Sequence, residues 1–189
     1  MRVLVVYESV YGNTHTIADA VAEGFRSPGT EIEVLAVDDA SRELVQAADM
    51  VVVGGPTHAH GMSWATTRQT AVGDEKKKAE EADPDQPAHE LDESATGEGL
   101  RHWFHDIGKV ERTGAAAFDT RFDRSPALTG SAARGIARRL RHHGFDLLDE
   151  PTSFFVEDTE GPLADHEVLR AREWGEALSA RLASEAPAG

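Results

Sequence analysis

No cysteine occurs among the 189 residues. Without a thiolate the chain can form no disulfide and offers no nucleophilic sulfur, no Cys-ligated zinc and no iron–sulfur cluster of its own. Positive charge is also short: 19 Lys and Arg stand against 34 Asp and Glu, a formal net charge of −15. That balance argues against nucleic acid or an anionic membrane surface as the main partner, because both reward clustered cations. No apolar run approaches the roughly 18 residues of a membrane span. The chain also opens directly into Val3-Leu4-Val5-Val6, without a charged stretch, an apolar core and a small-residue cleavage site. The expectation is a soluble, cytoplasmic protein with a single domain over residues 1–189.

The negative charge is uneven. Residues 71–98 carry three basic and ten acidic side chains, whereas residues 99–145 carry nine basic and four acidic. Residues 74–98 (DEKKKAEEADPDQPAHELDESATGE) hold little apolar surface and two prolines, too little to offset the entropy of ordering them. They read as an acidic, disordered, solvated insertion, with a frayed helix over Asp74–Ala82.

The remainder alternates between two periods. Val3–Tyr7 and Met50–Val53 are short apolar runs rich in β-branched residues, as in strands covered on both faces. Ile32–Val37 and Ala115–Phe118 are weaker strand candidates, and Phe145–Leu148 with Ser153–Val156 reads as one interrupted strand. Helical spacing places Ile17, Ala18, Val21, Ala22 and Phe25 on one face. Leu100, Trp103, Phe104 and Ile107 form a second such face, and Ala133, Ile136, Ala137 and Leu140 a third. A last helix from about Asp165 presents Val168, Ala171, Gly175, Leu178 and Leu182. Alternating strands and helices predict an α/β fold with a parallel sheet.

Three stretches follow strands, where open α/β sheets bind ligands. Ser9-Val10-Tyr11-Gly12-Asn13-Thr14 joins the first strand to a helix. A hydroxyl-rich turn running into a helix N-terminus makes an anion site from backbone N–H groups and the helix dipole, although the same residues also serve as ordinary caps. The turn has no Lys or Arg and matches neither the Walker pattern nor the three-glycine dinucleotide fingerprint; a neutral cradle suits a monophosphate. Gly54-Gly55-Pro56-Thr57-His58, continuing to Gly61, Met62 and Trp64, and Asp119-Thr120-Arg121-Phe122 are the other two stretches. Glycines admit close backbone approach, and the aromatic and sulfur side chains offer flat, polarisable surface.

These motifs resemble the flavodoxin family. Ser9–Thr14, ending in Gly12-Asn13-Thr14, is similar to the family's FMN phosphate loop, Pro56–Trp64 to its first isoalloxazine loop and Asp119–Arg124 to its second. The resemblance implies a flavodoxin-like three-layer, doubly wound sheet of five parallel strands in the order 2-1-3-4-5. It also implies non-covalent FMN held by Ser9, Val10, Tyr11, Gly12, Asn13, Thr14, Pro56, Thr57, His58, Gly61, Met62, Asp119, Thr120, Arg121 and Phe122, and a role in electron transfer. The chain departs from the family's pattern in having Val10 and Tyr11 where threonines are common, and no tyrosine in the second isoalloxazine loop. Pro56-Thr57-His58 and Met62 are closer to the wider set of flavodoxin-fold proteins, which includes quinone reductases and a protoporphyrinogen-oxidising branch.

The partner is accordingly a redox protein or a small-molecule electron acceptor. The alternative is an FMN-dependent NAD(P)H oxidoreductase acting on a quinone or porphyrinogen, with His58 or Arg121 orienting substrate; a flavin-free interaction module ranks last. A phosphorylation receiver domain fails on its site, because the third strand ends in Gly54-Gly55-Pro56 and no Lys follows Lys109. The pairs His58/His60 and His102/His105 lack a third ligand, so no metal is expected. Deleting residues 76–96 is expected to leave FMN binding unchanged. The arginines of residues 134–141 read as an exposed helix face, with an acidic partner as the other reading.

Overall fold

Five strand positions form the centre, and the two apolar runs Val3–Tyr7 and Met50–Val53 are buried on both faces. In the computed structural model, which describes residues 1–58, 61–64, 69–75, 77, 91–92, 94–111, 113–125 and 129–185, β1 (Arg2–Tyr7) lies between β2 (Glu31–Ala36) and β3 (Met50–His58), parallel to both. The two-residue β4 (Gly61–Met62) folds back antiparallel on the tip of β3. β5 (Gly114–Phe122) runs parallel to β3. The fifth position is shared: β6 (Asp146–Leu147) pairs with the start of β5 and β7 (Thr152–Val156) with its end. This is the interrupted strand expected from the sequence, and the order β2-β1-β3-β5-β6/β7 is the predicted 2-1-3-4-5 sheet.

Helices cover both faces. α1 (Asn13–Gly24) and α5 (Glu167–Glu185) pack with Val3, Val5, Val52, Ala116 and Phe118 on one side. α2 (Arg42–Ala47), α3 (Leu100–Asp106) and α4 (Ala132–His143) pack with Leu4, Val6, Val51, Val53 and Ala117 on the other. The inward faces predicted for α1, α3 and α4 are all buried. On α5, Ala171 and Leu178 are buried as expected, but Val168 is 47% exposed, because the helix meets α1 only further along. At that crossing a Cβ on Gly24 would stand 2.3 Å from Arg172 O, and one on Gly175 2.3 Å from Val21 O. The two glycines therefore let the helix backbones touch.

The strands carrying the site are longer than predicted. Pairing of β3 with β5 continues through Gly55↔Asp119 and Pro56↔Thr120, and β5 stays paired with β7 to Phe122↔Val156. Pro56–His58 and Asp119–Phe122 are thus strand tips rather than loops; their polar side chains find partners that make an extended backbone affordable. Gly54 and Gly55 also have a different reason from the one expected. A Cβ at Gly54 would meet the Phe118 ring at 2.0 Å, and one at Gly55 would meet Leu100 Cδ1 at 2.6 Å, so both make room for the core.

Of the acidic insertion, residues 76, 78–90 and 93 lie outside the described residues, as does most of the helix expected over Asp74–Ala82. Residues 69–75 are helical, and Val72, Leu91 and Ala95 pack on Val10 and Tyr11 in a small cluster. Both described flanks of the insertion therefore lean on the first turn. Among the described residues no helix is long and apolar enough to cross a membrane.

Candidate functional site

One cleft opens at the carboxyl ends of β1, β3 and β5, where ligands enter doubly wound sheets. Its lining includes Ser9, Val10, Tyr11, Asn13 and Thr14 from the turn, Pro56–His58 from β3 and Thr120–Phe122 from β5. The space within the cleft, counting its open mouth, is ≈ 480 Å³. Eleven of the fifteen predicted site residues line it directly, whereas Gly12, Gly61, Met62 and Asp119 do not.

Gly12 shapes the turn. It sits in the left-handed region (φ 81°, ψ −15°) and leads into α1, and a Cβ there would meet nothing within 4 Å. Conformation, not crowding, thus selects glycine. Its N–H donates to Ser9 Oγ at 3.1 Å. Thr14 Oγ1 and Thr120 Oγ1 pair at 2.7 Å, joining the turn to β5. The Asn13 amide, expected to face a phosphate, instead donates from Nδ2 to Glu160 O at 3.1 Å. Gly161 makes this possible, since a Cβ there would fall 2.8 Å from the amide.

Asp119 supports the strand tips. Its fully buried carboxylate accepts at Oδ2 from Thr57 Oγ1 (2.9 Å), Ser131 Oγ (2.7 Å) and Ala133 N–H (2.9 Å). Thr57 Oγ1 in turn accepts from Ala132 N–H at 2.8 Å. The carboxylate thereby satisfies the α4 N-terminus, where its charge is favoured, and fixes the β3 tip against β5. Met62 is likewise structural: it is buried in the core beside Gly135, and its carbonyl accepts from Arg101. Gly61 pairs antiparallel with His58 at the β3 tip. Arg121 lines the cleft but is committed: Nε donates to Ser153 Oγ at 2.9 Å, and Nη1 to Phe122 O and Arg124 O. Phe122, 38% exposed, presents apolar surface at the mouth. Trp64 is 58% exposed and stacks under the Arg101 guanidinium at 3.8 Å. Partial burial first, then the charge of Arg139, lowers the pKa of Arg101, against the opposing effect of Glu8.

Several working residues escaped the sequence reading. Val156 and Thr159 line the cleft because β7 ends beside β5, a pairing no local pattern announces. Glu8, buried at the end of β1, accepts from Ser63 Oγ and from Leu100 N–H (2.8 Å), and so anchors the start of α3. His102 and His105 pair with Glu98 and Asp106 on an exposed helix face, and a hydrogen bond from His105 is the largest influence holding Asp106 below its ordinary pKa. His60 lies outside the described residues; among those described, no group of three or more His, Asp or Glu side chains is placed to hold a metal.

A doubly wound α/β protein with a cation-free turn at a helix N-terminus and a cleft between the strand tips has the arrangement that receives mononucleotides. The sequence model of the flavodoxin family, described as "Flavodoxin", matches residues 5–112. The chain belongs to the flavodoxin family, whose cofactor is FMN. A flavodoxin of Aquifex aeolicus is 46% identical over 68 residues, covering 35% of this chain and 37% of that protein. A putative diflavin flavoprotein of Synechocystis is 36% identical over 77 residues, 39% of this chain and 13% of that protein. The chain thus matches well under half the length of either curated relative. An archaeal flavodoxin of solved structure superposes with a TM-score of 0.63 at 18% identity, covering 97% of this chain and 99% of that one.

The residues present fit FMN. The turn's donors are neutral N–H and O–H groups suited to a phosphate, and Phe122 supplies apolar surface to the same cleft.

Proposed function

We propose that the protein carries electrons between redox partner proteins on FMN held non-covalently in this cleft. The observation that carries the reading is the convergence of a neutral phosphate turn with Thr57, His58 and Phe122 on one opening. Bound FMN supplies the redox chemistry, and the chain supplies position and electrostatics.

The phosphate is received by the N–H groups of residues 10, 11, 13 and 14, the last two having no acceptor within α1 because they begin it. Ser9 Oγ already accepts from Gly12 N–H, which leaves its own proton to be donated. The Thr14–Thr120 hydroxyl pair adds a further donor beside the turn. Pro56, Thr57, His58, Thr120, Arg121 and Phe122 would surround the ring system of bound FMN. Asp119, Gly61 and Met62 act by holding these tips in place.

The oxidoreductase alternative has His58 or Arg121 orienting substrate; two Arg121 nitrogens are spent on Ser153 Oγ and on carbonyls, which leaves that role to His58. The test is to load the protein with FMN, reduce it with dithionite, remove the reductant and mix it with cytochrome c. Return of the oxidised flavin spectrum as the cytochrome is reduced, with NADH and NADPH alone inert, is the expected result. Steady NAD(P)H turnover with a quinone and no second protein would establish the reductase instead.

A further inference from the structure

We propose that Asp92, in the acidic insertion, is a positioning residue for the phosphate turn and sets the preference for FMN over riboflavin. The proposal rests on the FMN reading above and goes beyond it, because it assigns phosphate recognition to a residue outside the turn.

Asp92 ties three elements together. Its N–H donates to Val10 O at 2.9 Å. Its side chain, 4% exposed, accepts at Oδ2 from His15 Nδ1 at 2.9 Å. Oδ1 accepts from Ser94 N–H at 2.9 Å and Ser94 Oγ at 2.5 Å. His15 belongs to the first turn of α1, and its ring stacks on Tyr7 at the end of β1, with centroids 4.2 Å apart. Ser94 Oγ also lies 3.3 Å from Ser9 O. The single hydroxyl proton goes to the closer, charged acceptor, so the contact with Ser9 O is the weaker branch. The end of β1, the turn and the helix start are thus held from outside by one buried carboxylate.

The consequence follows from peptide geometry. In a trans peptide the carbonyl of one residue and the N–H of the next point in opposite directions. Val10 O is held outward on Asp92 N–H, so the Tyr11 N–H points to the opposite side of the turn; Ser9 O faces Ser94, so the Val10 N–H does the same. That side is the cleft, which Val10 and Tyr11 both line. Without its carboxylate Asp92 loses its tie to His15, its N–H is no longer held against Val10 O, and rotation of that one plane exchanges the Tyr11 N–H for a carbonyl that repels phosphate. Riboflavin, which lacks the phosphate, is indifferent to this.

This reverses the expectation that residues 76–96 are dispensable for FMN. The part that matters is Asp92 and Ser94, and a deletion that removes them weakens FMN binding.

The experiment compares dissociation constants for FMN and for riboflavin in the wild type, Asp92→Asn and Asp92→Ala, with Ser94→Ala as a variant that removes one donor and keeps the carboxylate. Loss of a charge-assisted hydrogen bond predicts FMN binding weaker by about tenfold in Asp92→Asn and by more in Asp92→Ala. Ser94→Ala should shift FMN by less, and riboflavin should be unchanged in every variant that melts cooperatively. An equal loss for both flavins, or no loss for either, overturns the proposal. If Asp92→Ala does not fold, Asp92→Asn and Ser94→Ala decide the matter by the same FMN-to-riboflavin ratio. A wild type that binds neither flavin overturns the FMN reading itself, a distinct result.

Discussion

Gly12 stands where the turn becomes a helix, at φ 81°. An L-residue there costs about 1–2 kcal/mol, and Asn tolerates the position best because its side chain bonds locally. Gly12→Ala should therefore lower thermal stability or weaken FMN binding by that total, and Gly12→Asn by less, as read from melts of the apo form and from FMN titrations. Asp119 carries a larger share of the fold. Asp119→Ala leaves three buried or half-buried donors, on Thr57, Ser131 and Ala133, without their acceptor. A loss of roughly 2–4 kcal/mol follows, or a melting temperature lower by roughly 5–15 °C for a domain of this size. A binding defect in Asp119→Ala with unchanged melting would instead make the carboxylate a ligand. The buried Asp119 carboxylate and the buried Glu8 carboxylate share a logic: each lies beside a strand tip and satisfies the start of a helix on the far side of the sheet.

Elements were legible where their periodicity was strong. The buried faces of α1, α3 and α4 could be read because core packing is the main demand on Ile17, Phe104 or Ile136 and their neighbours. The interrupted fifth strand was visible for the same reason, in Phe145–Leu148 and Ser153–Val156. Strand ends were not legible, because Gly54-Gly55 and Asp119-Thr120-Arg121 have loop composition and only the neighbouring strand shows that they stay extended. α2, six residues long, has little signal beyond its Ser41 cap, which accepts from Leu44 N–H. The Asp92 contacts were hidden by distance: Ser94 lies 85 residues from Ser9 and sits in a stretch whose composition is that of solvated chain. Two predictions belong at this scale. Gly175→Ala forces the α1 and α5 backbones apart, with a cost of about 1–3 kcal/mol for overpacking, visible as a lower melting temperature. Asp149, which links β6 to α5, provides a pH test. Burial, the largest influence, pushes its pKa up, but hydrogen bonds from Trp174, Arg181 and the Glu150 backbone outweigh it and leave the carboxyl below the ordinary Asp range. Because the folded value is the lower one, the charged form stabilises the fold above the unfolded pKa of about 3.9, and the contribution is lost as pH falls through the folded value. The melting temperatures of wild type and Asp149→Asn should therefore differ at pH 7 and converge below about pH 4.

The whole molecule holds a neutral phosphate turn within a body of net charge −15. FMN is an anion, so an acidic fold without a cation in the turn must rely on aimed N–H and O–H donors, and this makes the geometry of residues 9–14 decisive. The basic side chains gather on α4, where Arg134, Arg138 and Arg141 face solvent. The net charge sets the rest: electron transfer to a basic acceptor should slow as salt is added, because screening removes the attraction that steers the encounter. The central claim is that the cleft holds FMN by its phosphate, and the most direct measurement is a titration of the purified protein with FMN and, in parallel, riboflavin, followed by flavin absorbance and fluorescence. The expected result is one FMN bound per chain at micromolar concentrations, with riboflavin bound more weakly. FMN that keeps its free spectrum throughout, or riboflavin bound as tightly as FMN, would contradict it.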